Sequence, residues 1–159
     1  MSSRGPEEGH KDLARNRQAF FLYEILDKFE AGVVLLGPEV KSIREAKIQL
    51  KDAYASIEGG ELWLFHCHVS PYAQHTHTSL TPIDPLRKRK LLMHRKELDK
   101  LKGRVEEKGL TLVPLRIYLK RGKVKVELGL GRGKKLYDKR EAIKDRDLAR
   151  EQDRALRER

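Results

Sequence analysis

The chain has 159 residues, 38% hydrophobic and 37% charged, and its 35 Lys and Arg against 24 Asp and Glu leave a net charge of +11. That is enough apolar material for one small core with an appendage, and the charge points to a polyanionic partner. A single cysteine, Cys67, excludes an intrachain disulfide. With no run near the ~20 apolar residues of a membrane span and no secretory h-region, the sequence predicts a cytoplasmic protein outside membranes.

Met1–Lys11 is polar and holds Gly5, Pro6 and Gly9, so residues 1–11 are expected to form a flexible arm ahead of a folded unit over 12–130. Phe20–Leu26 reads as a strand, Asp27–Glu30 as a turn, and Ala31–Leu36 as a second apolar run stopped by Gly37-Pro38. Val40, Ile43 and Ala46 have helical spacing. Lys51–Glu58 and Glu61–Ser70 alternate around Gly59-Gly60, a hairpin signature. Pro71–Pro85 reads as a loop, and Leu86–Glu107 as a helix with Leu91, His94, Leu98, Leu101 and Val105 in one stripe, ended by Gly109. Leu110–Leu119 and Lys123–Leu130 form a second hairpin turned at Arg121-Gly122. The expectation is a mainly β protein with inserted helices, an antiparallel barrel for which the OB type is one candidate.

Residues 131–159 read as an appendage. Gly129, Gly131 and Gly133 are expected to loosen the backbone where Arg132, Lys134 and Lys135 cluster. From Asp138 to Arg159 there are eight basic and seven acidic residues, a net of only +1, so the attracting field belongs to the globule. Ala142, Ala149 and Leu156 recur every seven residues. That stripe is thin, so the tail is disordered or marginally helical alone and is suited to folding on a partner.

Four constellations could carry chemistry. Arg87–Lys102 holds eight Lys/Arg and two acids, a surplus of one sign that favours RNA or DNA contact over an ordinary solvated helix face. On that helix Arg87, Arg89, Lys90, Lys96 and Lys100 would point to solvent. Gly129–Lys135 lacks the spacing and the hydroxyl of a nucleotide-hydrolysing loop, so a basic loop along a nucleic-acid backbone is the better reading. Phe20, Phe21 and Tyr23 beside Arg17 suit base stacking, with Phe21 and Tyr23 as the contact face and Phe20 as core. His66 and His68, with His75 or His77, could approach a metal, but their spacing with Cys67 matches no known zinc pattern. No nucleophile–base or acid–base arrangement is present, so the chain is expected not to be an enzyme.

Eight blocks then occur in order: Asn16-Arg17-x-Ala19, Phe29-Glu30-Ala31-Gly32, Glu39-Val40-Lys41-Ser42, Leu50-x-Asp52-x-Tyr54-Ala55, His68-Val69-Ser70-Pro71-Tyr72, Arg87-Lys88-Arg89-Lys90-Leu91-Leu92, Gly109-x-Thr111-Leu112-Val113-Pro114-Leu115, and Gly133-Lys134-Lys135-x-Tyr137-Asp138-Lys139-Arg140. Together they resemble the small protein B (SmpB, SsrA-binding protein) family of bacterial trans-translation, from about Leu13 to the C-terminus. The resemblance implies an OB-type barrel and a non-catalytic adaptor without cofactor or metal. Such an adaptor binds the tRNA-like domain of transfer-messenger RNA (tmRNA) and delivers it to the empty A site of stalled ribosomes. Elongation factor Tu would meet it through that RNA, and the free protein would be a monomer. Asn16, Phe21, Tyr23, Glu30, Leu92 and Lys125 fall at RNA-contacting positions, with Arg132, Lys134 and Lys135 beside them. Tyr137, Asp138, Lys139 and Arg140, followed by Ile143, Lys144 and Arg146, fall where the family meets the decoding centre and vacant mRNA channel. Phe21 stands where some members carry His, Leu148 where some carry Trp, and Arg132 where Lys is common. The alternative is a ribosome-associated or generic single-strand-binding OB protein.

Overall fold

The computed structural model describes residues 10–72, 83–106, 109–134, 146–152 and 154. Its elements are β1 (His10–Arg15), α1 (Ala19–Leu22), β2 (Tyr23–Val33), α2 (Gly37–Arg44), β3 (Ile48–Gln49), β4 (Tyr54–Glu58), β5 (Glu61–Phe65), β6 (His68–Val69), β7 (Arg89–Leu92), α3 (Arg95–Val105), β8 (Leu110–Lys120) and β9 (Lys123–Gly133). A last helical stretch, α4, covers 146–152. The protein is mainly β, with helices set between and beside the strands.

Alternation along the strands decides what is buried. Ala55 of β4, Leu62 and Leu64 of β5, Leu91 of β7, Leu112 of β8, and Val126, Leu128 and Leu130 of β9 all enter one core. Each of the Leu and Val side chains contributes about 1.5–3 kcal/mol by leaving water. The hydrogen-bonded order is β1-β8-β4-β5-β7-β2-β9, and β9 pairs again with β8, so the ladder returns to a strand it has already used. Both hairpins fall where the sequence puts them, at Gly59-Gly60 and at Arg121-Gly122. The second has φ of 53° at Arg121 and 76° at Gly122, the type I′ pattern that matches strand twist.

β8 is buried on both faces. Its Val113 and Leu115 form a second small cluster with Ala19, covered by α1, Tyr23 and Ile25. Pro114 cannot donate to the ladder, and the β8–β9 register shifts there.

Several sequence expectations change. β1 begins at His10, so the proposed arm's last two residues are strand. Phe20 and Phe21 sit on α1 rather than on a strand, and Phe20, expected in the core, is 49% exposed. Asp27–Glu30 is not a turn. β2 pairs with β9 from Tyr23 to Gly32, and a register shift between Ile25 and Asp27 absorbs the polar residues. Gly37-Pro38 starts α2 instead of stopping a strand, because proline is tolerated in a helix's first turn. Glu39 accepts a hydrogen bond from the Leu36 N–H at 2.9 Å. β5 ends at Phe65, since His66 takes a φ of 56° and β6 resumes at His68 against β3. His66 and His68 therefore do not share a strand face. His75 and His77 lie outside the described residues.

The largest correction concerns Leu86–Glu107. Its first half is β7, which pairs Leu91 with Leu62, Lys90 with Trp63 and Arg89 with Leu64. Only from Arg95 is it helical, with Leu101 fully buried. Short strands and helix turns share apolar spacings over so few residues, and cross-strand pairing overrides the local pattern.

Residues 131–133 belong to β9, not to a loosened segment. A Cβ on Gly131 would stand 2.9 Å from Tyr23 Cβ, and one on Gly129 would stand 2.9 Å from a Leu115 methyl. These glycines serve close packing.

Candidate nucleic-acid interface

β2, β9, α1 and the start of α3 build one surface. At its lower end α1 presents Phe20 and Phe21 above a groove of about 650 Å³. Arg15, Arg17, Lys28 and Arg116 wall this groove, and Glu127 is an acidic residue among them. At the other end a second groove of about 620 Å³ lies between β2 and α3, lined by Lys28 and Lys100, by the acids Glu30 and Glu97, and by Leu92 and His94. Lys28 borders both grooves, which makes the surface continuous. In the groove under α1, where basic residues outnumber the one acid, field lines from like charges converge and concentrate anions.

Asn16 is buried, 8% exposed, and its amide is already committed. Nδ2 donates to the carbonyls of Pro114 at 3.0 Å and Leu50 at 3.4 Å, while Oδ1 accepts from Ala19 N–H at 3.3 Å. It holds the start of α1 against β8, and thereby places Phe20 and Phe21. Both polar atoms of its side chain thus engage the backbone, which gives Asn16 a positioning role for α1.

Glu30 projects from β2 into a hydrogen-bonded chain. It accepts from the Tyr118 hydroxyl and faces Lys120 at 3.4 Å. Burial raises its pKa, but the Tyr118 O–H, then Lys120 and Lys125, outweigh that, so its carboxyl is held below the usual 4.5. Tyr118 in turn lies under the Arg116 guanidinium, 4.4 Å from its ring centre. Arg116 also donates to Glu127 at 3.2 Å and to Asp12 at 3.0 Å. The Lys125 ammonium lies over Gly32, 3.7 Å from where a Cβ would be, beside the exposed Leu92. Glu30, Lys125 and Leu92 are thus brought together, as the sequence expects.

Tyr23 pairs with Gly133 and packs on Gly131, and Arg132 is exposed beside it. Lys134 donates its backbone N–H to Leu22 at 3.0 Å and its Nζ to the Phe20 carbonyl at 3.2 Å, which ties the end of β9 to α1. Lys135, Tyr137, Asp138, Lys139, Arg140, Ile143 and Lys144 lie outside the described residues. Arg146 opens α4, with its guanidinium 4.8 Å from the Phe21 ring centre.

Arg89 is removed from the interface. It is 1% exposed, because strand alternation turns it inward with Leu91. Its Nε donates to Glu39 at 2.7 Å and its Nη1 to the Cys67 carbonyl at 2.7 Å. Arg87 is half committed, donating to the other Glu39 oxygen at 2.5 Å with a third of its side chain exposed. Lys88 covers Trp63 at 4.5 Å and Lys90 pairs with Glu61 at 3.0 Å. Lys96 and Lys100 do face solvent.

Arg15, Lys28, Arg116, Tyr118 and Lys120 escape sequence reasoning because they are scattered over β1, β2 and β8. Their signal is spatial, and only the β1–β8–β9–β2 register assembles it. Among the described residues no group of three or more His, Cys, Asp or Glu could hold a metal ion. No described helix is long and apolar enough to cross a membrane.

Comparison with known proteins decides the kinship. The model of the SmpB protein family matches residues 13–158. This chain belongs to the SmpB family. The SsrA-binding protein of Thermosynechococcus vestitus is 57% identical over 152 residues, covering 94% of this chain and 97% of its own. That of Desulfitobacterium hafniense (strain Y51) is 53% identical over 151 residues, covering 95% of both. A chain in the solved structure described as "tmRNA-SmpB: a journey to the center of the bacterial ribosome" is 49% identical and superposes with a TM-score of 0.65. That superposition spans 82% of this chain and 93% of that one. On the two-groove surface of this SmpB-family chain, Asn16, Arg17, Phe29, Glu30, Leu92 and Leu115 come from the ordered sequence blocks, and most of the other lining residues lie outside them.

Proposed function

We propose that this protein is a non-catalytic adaptor that binds the tRNA-like domain of tmRNA and carries it to the empty A site of stalled ribosomes. The observation that carries the reading is the near full-length similarity to proteins named for binding SsrA RNA. The cationic groove under α1 and the mixed-charge groove that adjoins it at Lys28 support it, since folded RNA is gripped by shape, stacking and backbone contact.

The ring of pairings through β8, β4, β5, β7, β2 and β9 supports an OB-type barrel. In this reading residues 12–130 and the rest of β9 are the RNA-binding unit. Phe21 and Tyr23 offer stacking faces, while Lys125, Arg132, Lys134 and Lys135 meet phosphates, and Leu92 packs against the sugar–base surface. Tyr118 and Lys120 occupy part of the Glu30 carboxylate. A carboxylate has about four acceptor sites, which leaves room for a base amino group. Tyr137, Asp138, Lys139, Arg140, Ile143, Lys144 and Arg146 serve the ribosome, with elongation factor Tu met through the RNA. The protein works in the cytoplasm.

The test separates the two parts. Removal of everything after Tyr137 should leave affinity for the tRNA-like domain within about threefold but abolish peptide tagging on stalled ribosomes. Loss of RNA binding on truncation would contradict this division.

A further inference from the structure

Glu30 and Glu127 stand directly opposite each other where β2 pairs with β9. Like charges in that register destabilise a sheet. The two acids have different partners. Arg116 lies opposite Glu127 on β8 and donates to it at 3.2 Å. Glu30 instead receives the Tyr118 hydroxyl, with Lys120 3.4 Å away. Tyr118 is 1% exposed, and the Arg116 guanidinium covers its ring. Burial, then the Glu30 carboxylate, push the hydroxyl pKa well above 10, so it keeps its proton and donates. The Glu30 side chain is 39% exposed. A hidden, immobilised donor thus holds an exposed carboxylate at the surface, with Lys28 in the same groove and Lys125 near enough to act on it.

We propose that Tyr118 is a positioning residue, fixing Glu30 as a point on this surface where an RNA phosphate is refused and a base edge bearing N–H groups is taken. The inference rests on the reading that the surface binds RNA. Lys28, Lys120 and Lys125 attract any phosphate and so confer no register on the bound strand. An ionised carboxylate among them repels phosphate oxygens and acts only as an acceptor. Base edges carry the donors it requires, and phosphates carry none. Without the Tyr118 hydroxyl the Glu30 side chain would be free to swing onto a lysine. It would then neutralise that cation instead of reading a base.

Full-length protein tests this with two RNAs of equal length, the tRNA-like domain and an unstructured single strand. Glu30→Gln should weaken binding of the tRNA-like domain about tenfold. The single strand should bind this variant as tightly as wild type, or up to about threefold tighter, because a repulsion with phosphate is gone. Tyr118→Phe keeps the ring under Arg116 and removes the hydroxyl. It should weaken the tRNA-like domain about three- to tenfold and leave the single strand unchanged. The double variant should lose no more than Glu30→Gln alone, since Tyr118 acts through Glu30. A merely structural defect would weaken both RNAs in parallel. Parallel losses in Tyr118→Phe, or additive losses in the double variant, overturn positioning. Parallel losses in Glu30→Gln overturn phosphate exclusion. NMR decides independently of whether Tyr118→Phe folds. The Tyr118 hydroxyl proton should exchange with water more slowly in wild type than in Glu30→Gln, and equal rates overturn the hydrogen bond that positioning needs. In all these outcomes a wild type that still prefers the tRNA-like domain leaves the RNA reading standing. A wild type without that preference removes the RNA reading and the inference together.

Discussion

Glu39 Oε2 lies 2.7 Å from Arg89 Nε, and the two side chains are 3% and 1% exposed. This pair fastens α2 to β7. Through Arg89 it also fixes the Cys67 and Pro85 carbonyls, so one carboxylate organises four segments. A buried pair gains little over an apolar pair, but removing one partner leaves a stranded charge. Glu39→Gln should therefore cost about 3–5 kcal/mol, read by urea unfolding. The double change Glu39→Met with Arg89→Met should cost markedly less than Glu39→Gln alone. An equal or larger loss in the double variant would show that the charges themselves, rather than their pairing, matter.

The same carboxyl predicts a pH dependence. Burial pushes the Glu39 pKa up, but the Arg87 hydrogen bond, the Leu36 N–H and Arg89 pull it down further, below 4.5. A lowered folded pKa stabilises the protein fully above 4.5, and that contribution is lost as pH falls through the folded value. Thermal unfolding should shift downward below about pH 4.5. Glu39→Gln should show a shallower acid slope than wild type, and identical slopes would remove Glu39 as a source.

Gly131→Ala would place a methyl 2.9 Å from Tyr23 Cβ, which has no flexible end to yield. Overpacking of this kind costs about 1–3 kcal/mol, and here it also moves a proposed stacking ring. The expected outcome is a lower melting temperature together with several-fold weaker RNA binding. Wild-type values for both would mean that the β9–Tyr23 contact is slack.

How much was legible in the sequence follows from residue spacing. The two tight hairpins were readable because Gly59-Gly60 and Arg121-Gly122 are local signals. β7 was not, because Leu91 and Leu98 keep a helical spacing across a strand-to-helix junction that only pairing with β5 reveals. Arg89 looked solvent-facing for the same reason. The family resemblance pointed to Glu30, Leu92 and Lys125, which lie together beside Gly32. Asn16 matched by position, yet its amide is spent on three backbone groups. Arg116 and Lys28 had no local signal, since their role comes from the register of β1, β8, β9 and β2.

The cationic surface makes RNA binding salt-dependent. If ~6 phosphates are neutralised, log affinity should fall with log salt with a slope of magnitude near five. Lys125→Ala and Arg132→Ala should each reduce that magnitude by about one. Filter binding from low to physiological salt checks this. A flat dependence would place the binding energy elsewhere.

The most direct measurement compares the affinity of the full-length protein for the tmRNA tRNA-like domain with its affinity for unstructured single-stranded RNA of equal length at physiological salt. Recognition of a folded shape by the two joined grooves predicts at least a tenfold preference for the tRNA-like domain, on the order of 1.4 kcal/mol. Equal affinity for the two RNAs would contradict it and mark the surface as a general single-strand binder.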